Sequence, residues 1–279
     1  MLGSILVSLD DTPGAVAARD AAIALARQTG AALTVAVVLD RPGTDSDHEA
    51  VPVGGAAFKA RRDAKLTAQA EAEAEAALAA CAGAAGGLRY QVVRLEDAPE
   101  PALQKAGEAH DLIVVGRDCT LGREQADGGV APVIEDLLRD GTKPLLVVPP
   151  GAAWRAEGVV VAAFDGSVPA RDAVEAFAAS GLAGSSAVRV VAVEEDAAAA
   201  KRLAEEGAAL LGRHGVSAAP RPVVAEDAAA ALLAEAREAR LLVMGAFGGS
   251  SLMRLLTGST THRLLRDSPV PVFVHRLEA

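Results

Sequence analysis

One pattern constrains this chain more than any other: it is written twice. Residues 4–20 read SILVSLDDTPGAVAARD and residues 158–172 read GVVVAAFDGSVPARD. Each is an apolar run, then an Asp, then a turn with Ser or Thr and Pro, then Ala-Arg-Asp in the opening of an apolar helix. Asp10 and Asp165 stand 155 positions apart. Later landmarks recur in the same order. DLIVVG at 111–116 matches RLLVMG at 240–245, LLRD at 137–140 matches LLRD at 264–267, and KPLLV at 143–147 matches VPVFV at 270–274. A shared order of this kind marks a duplication, so the fold is two copies of one unit.

Each copy reads as five strands alternating with four helices. Short continuous Val/Ile/Leu runs predict strands near 4–9, 33–39, 89–95, 112–116 and 144–148, then 158–164, 187–193, 219–224, 240–244 and 271–275. Such runs suit strands buried on both faces. Helical patterns fill 14–29, 57–82, 98–109 and 130–140, then 169–180, 197–213, 227–239 and 259–267. Strand–helix alternation with right-handed crossovers gives a parallel sheet covered on both faces. The expected class is therefore α/β: two tandem doubly wound five-stranded parallel-sheet sandwiches of Rossmann-like kind. Gly30 and Gly83 are expected as helix stops, and Pro13 and Pro169 as helix starts. Pro149-Pro150-Gly151 reads as a linker, with the boundary in 149–157, which divides the chain into units 1–150 and 156–279. Residues 41–56 read as a long exposed loop. Glu71, Glu73 and Glu75 read as the solvated face of an Ala-rich helix rather than a metal cluster.

Charge and composition remove several function classes. The formal net charge is −10, from 27 Lys+Arg against 37 Asp+Glu. Nucleic-acid binding needs a basic footprint, so nucleic acid is not expected as a partner. Aromatic residues make up 3% of the chain, which leaves few stacking platforms. No apolar run approaches the ~20 residues of a membrane span, and the first ten residues lack a secretory pattern. The two cysteines, Cys81 and Cys119, have no metal or redox spacing and read as thiols of a reducing cytoplasm.

The chemistry is concentrated after the fourth strand of the second copy. There Gly245, Gly248, Gly258 and Ser259 make the spacing G-x2-G-x9-G-S, followed by Thr260 and Thr261. Glycines at a strand's carboxyl end let backbone approach a ligand closely. A helix opening on Ser-Thr-Thr offers free amides and hydroxyls to an anion. The pattern is neither a Walker A loop nor G-x-G-x-x-G. Read as structure alone, the glycines are turns and Ser259 a helix N-cap.

This spacing, with an Asp ending the first strand, the D-L-I-V-x-G fourth strand and the final V-P-V strand, resembles the universal stress protein family in its ATP-binding branch. The resemblance spans nearly the whole chain as two tandem domains, within the wider adenine-nucleotide alpha-hydrolase-like group. It implies an adenine-nucleotide site in the second copy. Asp165 would contact adenine and ribose, Ala163 and Phe164 would flank the base, and Val193 would supply backbone contacts to adenine. Met244 and Gly245 would cover the ribose side, and Gly248, Gly258, Ser259, Thr260 and Thr261 would hold the phosphates of ATP. Mg²⁺ could bridge those phosphates while keeping most of its waters. The resemblance also implies pairing of fifth strands, here 144–148 with 271–275, as an intramolecular pseudo-dimer; association of two chains stays open.

The first copy departs from the pattern. Asp10 and Gly116 are kept, but Cys119 stands where the second glycine belongs, and Ala131-Pro132 aligns with Gly258-Ser259. Proline removes a donor where phosphate would be held. This copy is expected to act as a scaffold and not to hold a nucleotide. No histidine has metal-ligand spacing, no catalytic set emerges, and turnover, if any, should be slow. Three readings follow: a cytoplasmic ATP-binding stress or regulatory protein whose 246–257 segment orders on binding, an interaction module without nucleotide, and an adenylating or slowly hydrolysing enzyme. Adenylation is disfavoured because Asp165-Gly166-Ser167 is too short for an S-G-G-x-D-S loop.

Overall fold

A computed structural model describes residues 1–39, 56–96, 99–121, 129–246 and 260–276. Its elements alternate as the sequence predicts: β1 (Ser4–Leu9), α1 (Pro13–Thr29), β2 (Ala32–Val38), α2 (Ala56–Ala85), β3 (Tyr90–Leu95), α3 (Pro99–Gly107), β4 (Leu112–Gly116), α4 (Pro132–Asp140) and β5 (Leu145–Val148) form the first half. The second half repeats them as β6 (Val159–Ala163), α5 (Val168–Ser180), β7 (Ala187–Glu194), α6 (Ala197–Arg213), β8 (Ala218–Val224), α7 (Ala228–Ala236), β9 (Ala239–Gly245), α8 (Thr260–Asp267) and β10 (Val272–His275).

The strands make one sheet in the order β3-β2-β1-β4-β5-β10-β9-β6-β7-β8. Within each half every pair is parallel, as crossover helices require. The direction reverses once, where β5 meets β10 in antiparallel register, Phe273 opposite Leu146. Two apolar edges that would otherwise face solvent thereby cover each other.

Strand alternation divides the core between the two faces. Ile5, Val7 and Leu9 point to one face with α1, α2, α5 and α6 side chains, while Leu6, Ile113 and Val115 point to the other with those of α3, α4, α7 and α8. Each core runs through both halves. The Phe177 and Phe273 rings meet edge to face at 5.9 Å, joining α5 to β10. Polar ties add to the junction: Leu2 N–H donates to the Ser180 carbonyl at 3.0 Å, and the Arg117 guanidinium donates to the Ser268 carbonyl at 3.0 Å.

Two local expectations are settled by caps. Gly30 ends α1 in the left-handed conformation, φ 74°, as expected. Gly83 is no stop: α2 runs to Ala85, and the turn falls on Gly86 and Gly87, both at positive φ. Glu71, Glu73 and Glu75 are exposed on α2. Residues 40–55, which hold nearly all of the 41–56 loop, lie outside the described residues, as do 247–259. Among the described residues no helix is long and apolar enough to cross a membrane.

Candidate functional site

The parallel set β6, β7, β9 and β10 brings its carboxyl ends to one edge of the second half. Just past β6, Asp165 Oδ1 accepts the Ser167 N–H at 2.9 Å, a local Asx turn. Gly166 takes φ 76°, and Ser167 caps α5 by accepting the Ala170 N–H at 3.3 Å. The turn holds Asp165 at the surface with one hydrogen bond from the described residues, leaving Oδ2 without a partner among them. Val193, half-buried, ends β7 beside it with Glu194. Ala163 and Met244 share the core face that Val193 packs against, both largely buried.

Two of the expected contacts take a different form. The Phe164 ring is buried, 2% exposed, with Gly207 of α6 and Val190 packed against it and Arg171 lying 5.6 Å from its centroid. A ligand at this edge could meet the backbone of Phe164 but not stack on its ring. Gly245 has a packing duty: a Cβ there would come within 2.4 Å of the Pro169 carbonyl carbon at the first turn of α5. Gly116 repeats it, with 2.3 Å to Ala15 N in α1. The glycine that both halves keep is thus required by strand–helix contact, whatever is bound.

The phosphate-side residues divide between described and undescribed. Thr260 opens α8 and is exposed, and Thr261 is half-buried. The start of α8 is tied to that of α7, since Arg263 Nη1 donates to both Asp227 oxygens at 2.9 and 2.7 Å. Asp227 caps α7, and the Ala230 amide with Arg263 holds its carboxyl below the usual range. Gly248, Gly258 and Ser259 lie outside the described residues. No group of three or more His, Cys, Asp or Glu among the described residues is placed to hold a metal.

The matching edge of the first half is built differently. Asp10 takes four hydrogen bonds from its own chain: Oδ1 accepts from Thr12 N (2.9 Å) and Thr12 Oγ1 (2.7 Å), and Oδ2 from Thr120 N (2.7 Å) and Leu121 N (3.1 Å). The Thr120–Leu121 segment crosses the end of β1, with Leu121 buried at φ 53°. Cys119 is fully buried with its Sγ 3.6 Å from Ser8 Oγ, and burial pushes its thiol well up. Ala131 caps α4 with no side-chain hydrogen bond, and Pro132 supplies no amide. Between α2 and the ends of β1 and β2 lies a cavity of about 220 Å³, lined by Asp10, Asp11, Val37, Val38, Glu73 and Leu121 among others. The sequence reading missed this cavity. Its only signal was the alignment of Val38 with Val193, because α2 and β2 come together only in the fold.

The model of the universal stress protein family matches residues 1–149 and 158–276. A universal stress protein from Archaeoglobus fulgidus DSM 4304 is similar in structure, with a TM-score of 0.72, 20% identity and 99% of each chain covered. A functionally unknown protein from Pseudomonas aeruginosa PAO1 superposes with a TM-score of 0.59 at 18% identity, over 98% of this chain and 92% of that one. At these identities the likeness establishes the tandem fold. No curated protein matches the chain.

Proposed function

The chain belongs to the universal stress protein family, and we propose that it is a stress-related regulatory protein binding one adenine nucleotide, ATP, in its second half. Residues 156–279 are read as the binding unit and 1–150 as mainly scaffold. The observation that carries the reading is Asp165: a carboxylate fixed by its own turn, exposed at the carboxyl edge, with one oxygen lacking a partner among the described residues. Such an acceptor beside Val193 suits the hydroxyls and amino group of a nucleoside. The rest follows the edge. Ala163, the Phe164 backbone and Val193 take the base, while Met244 and Gly245 close the ribose side. The first turn of α8, Thr260 and Thr261, takes phosphate together with Gly248, Gly258 and Ser259. Mg²⁺ would ride on the phosphates. The reading assigns binding rather than turnover. Both cysteines are buried and free, which suits a reducing cytoplasm.

Calorimetry with ATP on the full chain tests it. One site per chain is expected, weakened roughly 10- to 100-fold by Asp165→Ala, since one or two hydrogen bonds to a charged group are lost. Asp10→Ala should leave the affinity unchanged. Absence of binding, or an Asp165→Ala chain that binds like the parent, overturns the proposal.

A further inference from the structure

We propose that the cavity in the first half is a second binding site, for a small organic cation carried on a compact apolar body. The argument starts from what this edge no longer offers. All four lone-pair positions of Asp10 are filled by Thr12, Thr120 and Leu121, so it has nothing left for a ribose or an amino group. Cys119 and Pro132 occupy the positions where glycine and a free helix amide would receive phosphate. A nucleotide is therefore not what the remaining space selects.

The space itself is defined. About 220 Å³ lies under α2, floored by Leu9, Val37 and Val38 and walled by Ala70, Ala74 and Leu121. An apolar cavity of ~150 Å³ takes a benzene ring, so this one accommodates a ring with a short polar arm. Leu66 stands at the wall yet 46% exposed, an apolar side chain that a seated ligand would cover. Among the described residues that line the space, the charges have one sign. Asp10, Asp11 and Glu73 line it, and no described Lys or Arg does. An anion entering here meets like charge at close range in a partly dry setting, while a cation meets its complement. Glu73 is placed to set the arm: it is exposed on α2 and its Oε1 accepts from Gln69 at 2.9 Å, four residues earlier.

Benzamidine is the probe, with benzamide as its neutral isostere and benzoate as its anion. Calorimetry on the full chain should show benzamidine at one site per chain, benzamide at least tenfold weaker and benzoate not at all. Glu73→Gln, a substitution on the exposed face of α2, should weaken benzamidine about tenfold. Ala70→Trp, which fills the cavity from the half-buried face of the helix, should abolish binding, with circular dichroism confirming that the fold is kept. Neither change should alter ATP binding, because the site does not depend on the second half. Equal binding of benzamide or benzoate, no binding of benzamidine, or benzamidine affinity unmoved by Ala70→Trp overturns the proposal.

Discussion

Asp10 and Asp165 end equivalent strands, yet they do opposite work. Asp10 draws Thr120 and Leu121 across the end of β1 and is satisfied by its own chain. Asp165 is held only by the turn it sits in among the described residues, and its other oxygen has no partner there. A duplicated fold thus carries two fates for one residue: in one half the acceptor has become part of the structure, in the other it stays available. Identity of residue at an aligned position does not carry identity of role; the number of donors already spent on the side chain does.

The start of the fourth strand of each half diverges even further, and breaking it should give the largest effect. Asp111 opens β4 by accepting from Gly3 N (2.8 Å), Ser4 N (3.0 Å) and Ser4 Oγ (3.2 Å), and chiefly the Gly3 amide holds its carboxyl below the usual range. Its counterpart Arg240 is 1% exposed and has no carboxylate partner among the described residues. It donates to Ser186 Oγ at 2.7 Å and to the carbonyls of Leu182 and Arg155, with Trp154 5.3 Å from its guanidinium. It therefore pins the linker and the segment after α5 to β9. Arg240→Leu leaves those buried carbonyls unpaired and should cost about 3–5 kcal/mol, lowering the melting temperature by roughly 10 °C. Asp111→Ala, at an exposed site, should cost about 1 kcal/mol. Equal losses in a urea titration would show that the two positions still play one role.

The next test returns to the opening pair. Asp10→Ala strands the Thr120 and Leu121 amides beneath α2 and should cost about 2–3 kcal/mol. Asp165→Ala removes one turn contact at the surface and should cost less than ~0.5 kcal/mol. Denaturant midpoints of the two variants decide it. A stability loss at Asp165 as large as that at Asp10 would mean that both acceptors are structural.

The alternation and the strand positions were legible because each rests on a local period or a repeated landmark, whereas the pairing of β5 with β10 was expected only from the family resemblance. Helix ends set by a single glycine were less so. Gly83 has the right residue type, but Ala84 and Ala85 carry the helix two residues further, to the glycine pair that can take positive φ. At the candidate site the residues were found and their orientations were not. Nothing in the sequence tells whether Phe164 faces a ligand or the core; that depended on Gly207, forty-three positions later, opening a slot in α6. The duty of Gly245 was hidden for a related reason. A spacing rule built on ligand contact and one built on helix packing demand the same glycine, and only its survival at Gly116 beside Cys119 separates them. Arg240 gave no signal, because an arginine at the start of an apolar strand looks like a surface residue until the linker folds over it.

At neutral pH the smallest expected effect comes from the ends of the fifth strands. Val148 of β5 is fully buried, and its counterpart in β10 is His275, 5% exposed, with Nδ1 unpartnered among the described residues. Burial alone pushes the imidazole down to about 4, against about 6.5 for an unfolded chain. Between those values the unfolded state binds the extra proton, so stability must rise with pH across that window. The penalty is absent above about pH 7 and grows as pH falls through 6.5 towards 4. It amounts to roughly 2 kcal/mol at pH 5 from the two pKa values. Copying the first half, His275→Val, should remove this slope: parent and variant should differ little in pH sensitivity above pH 7 and diverge progressively below 6.5. Asp111, Asp227 and Asp267, whose carboxyls are all held below the usual range, lose their contributions at acid pH in both chains, so the difference between them isolates the histidine. Urea midpoints measured from pH 4 to 8 that run parallel for the two proteins would place His275 in contact with water, and the two strand ends would then be equivalent after all.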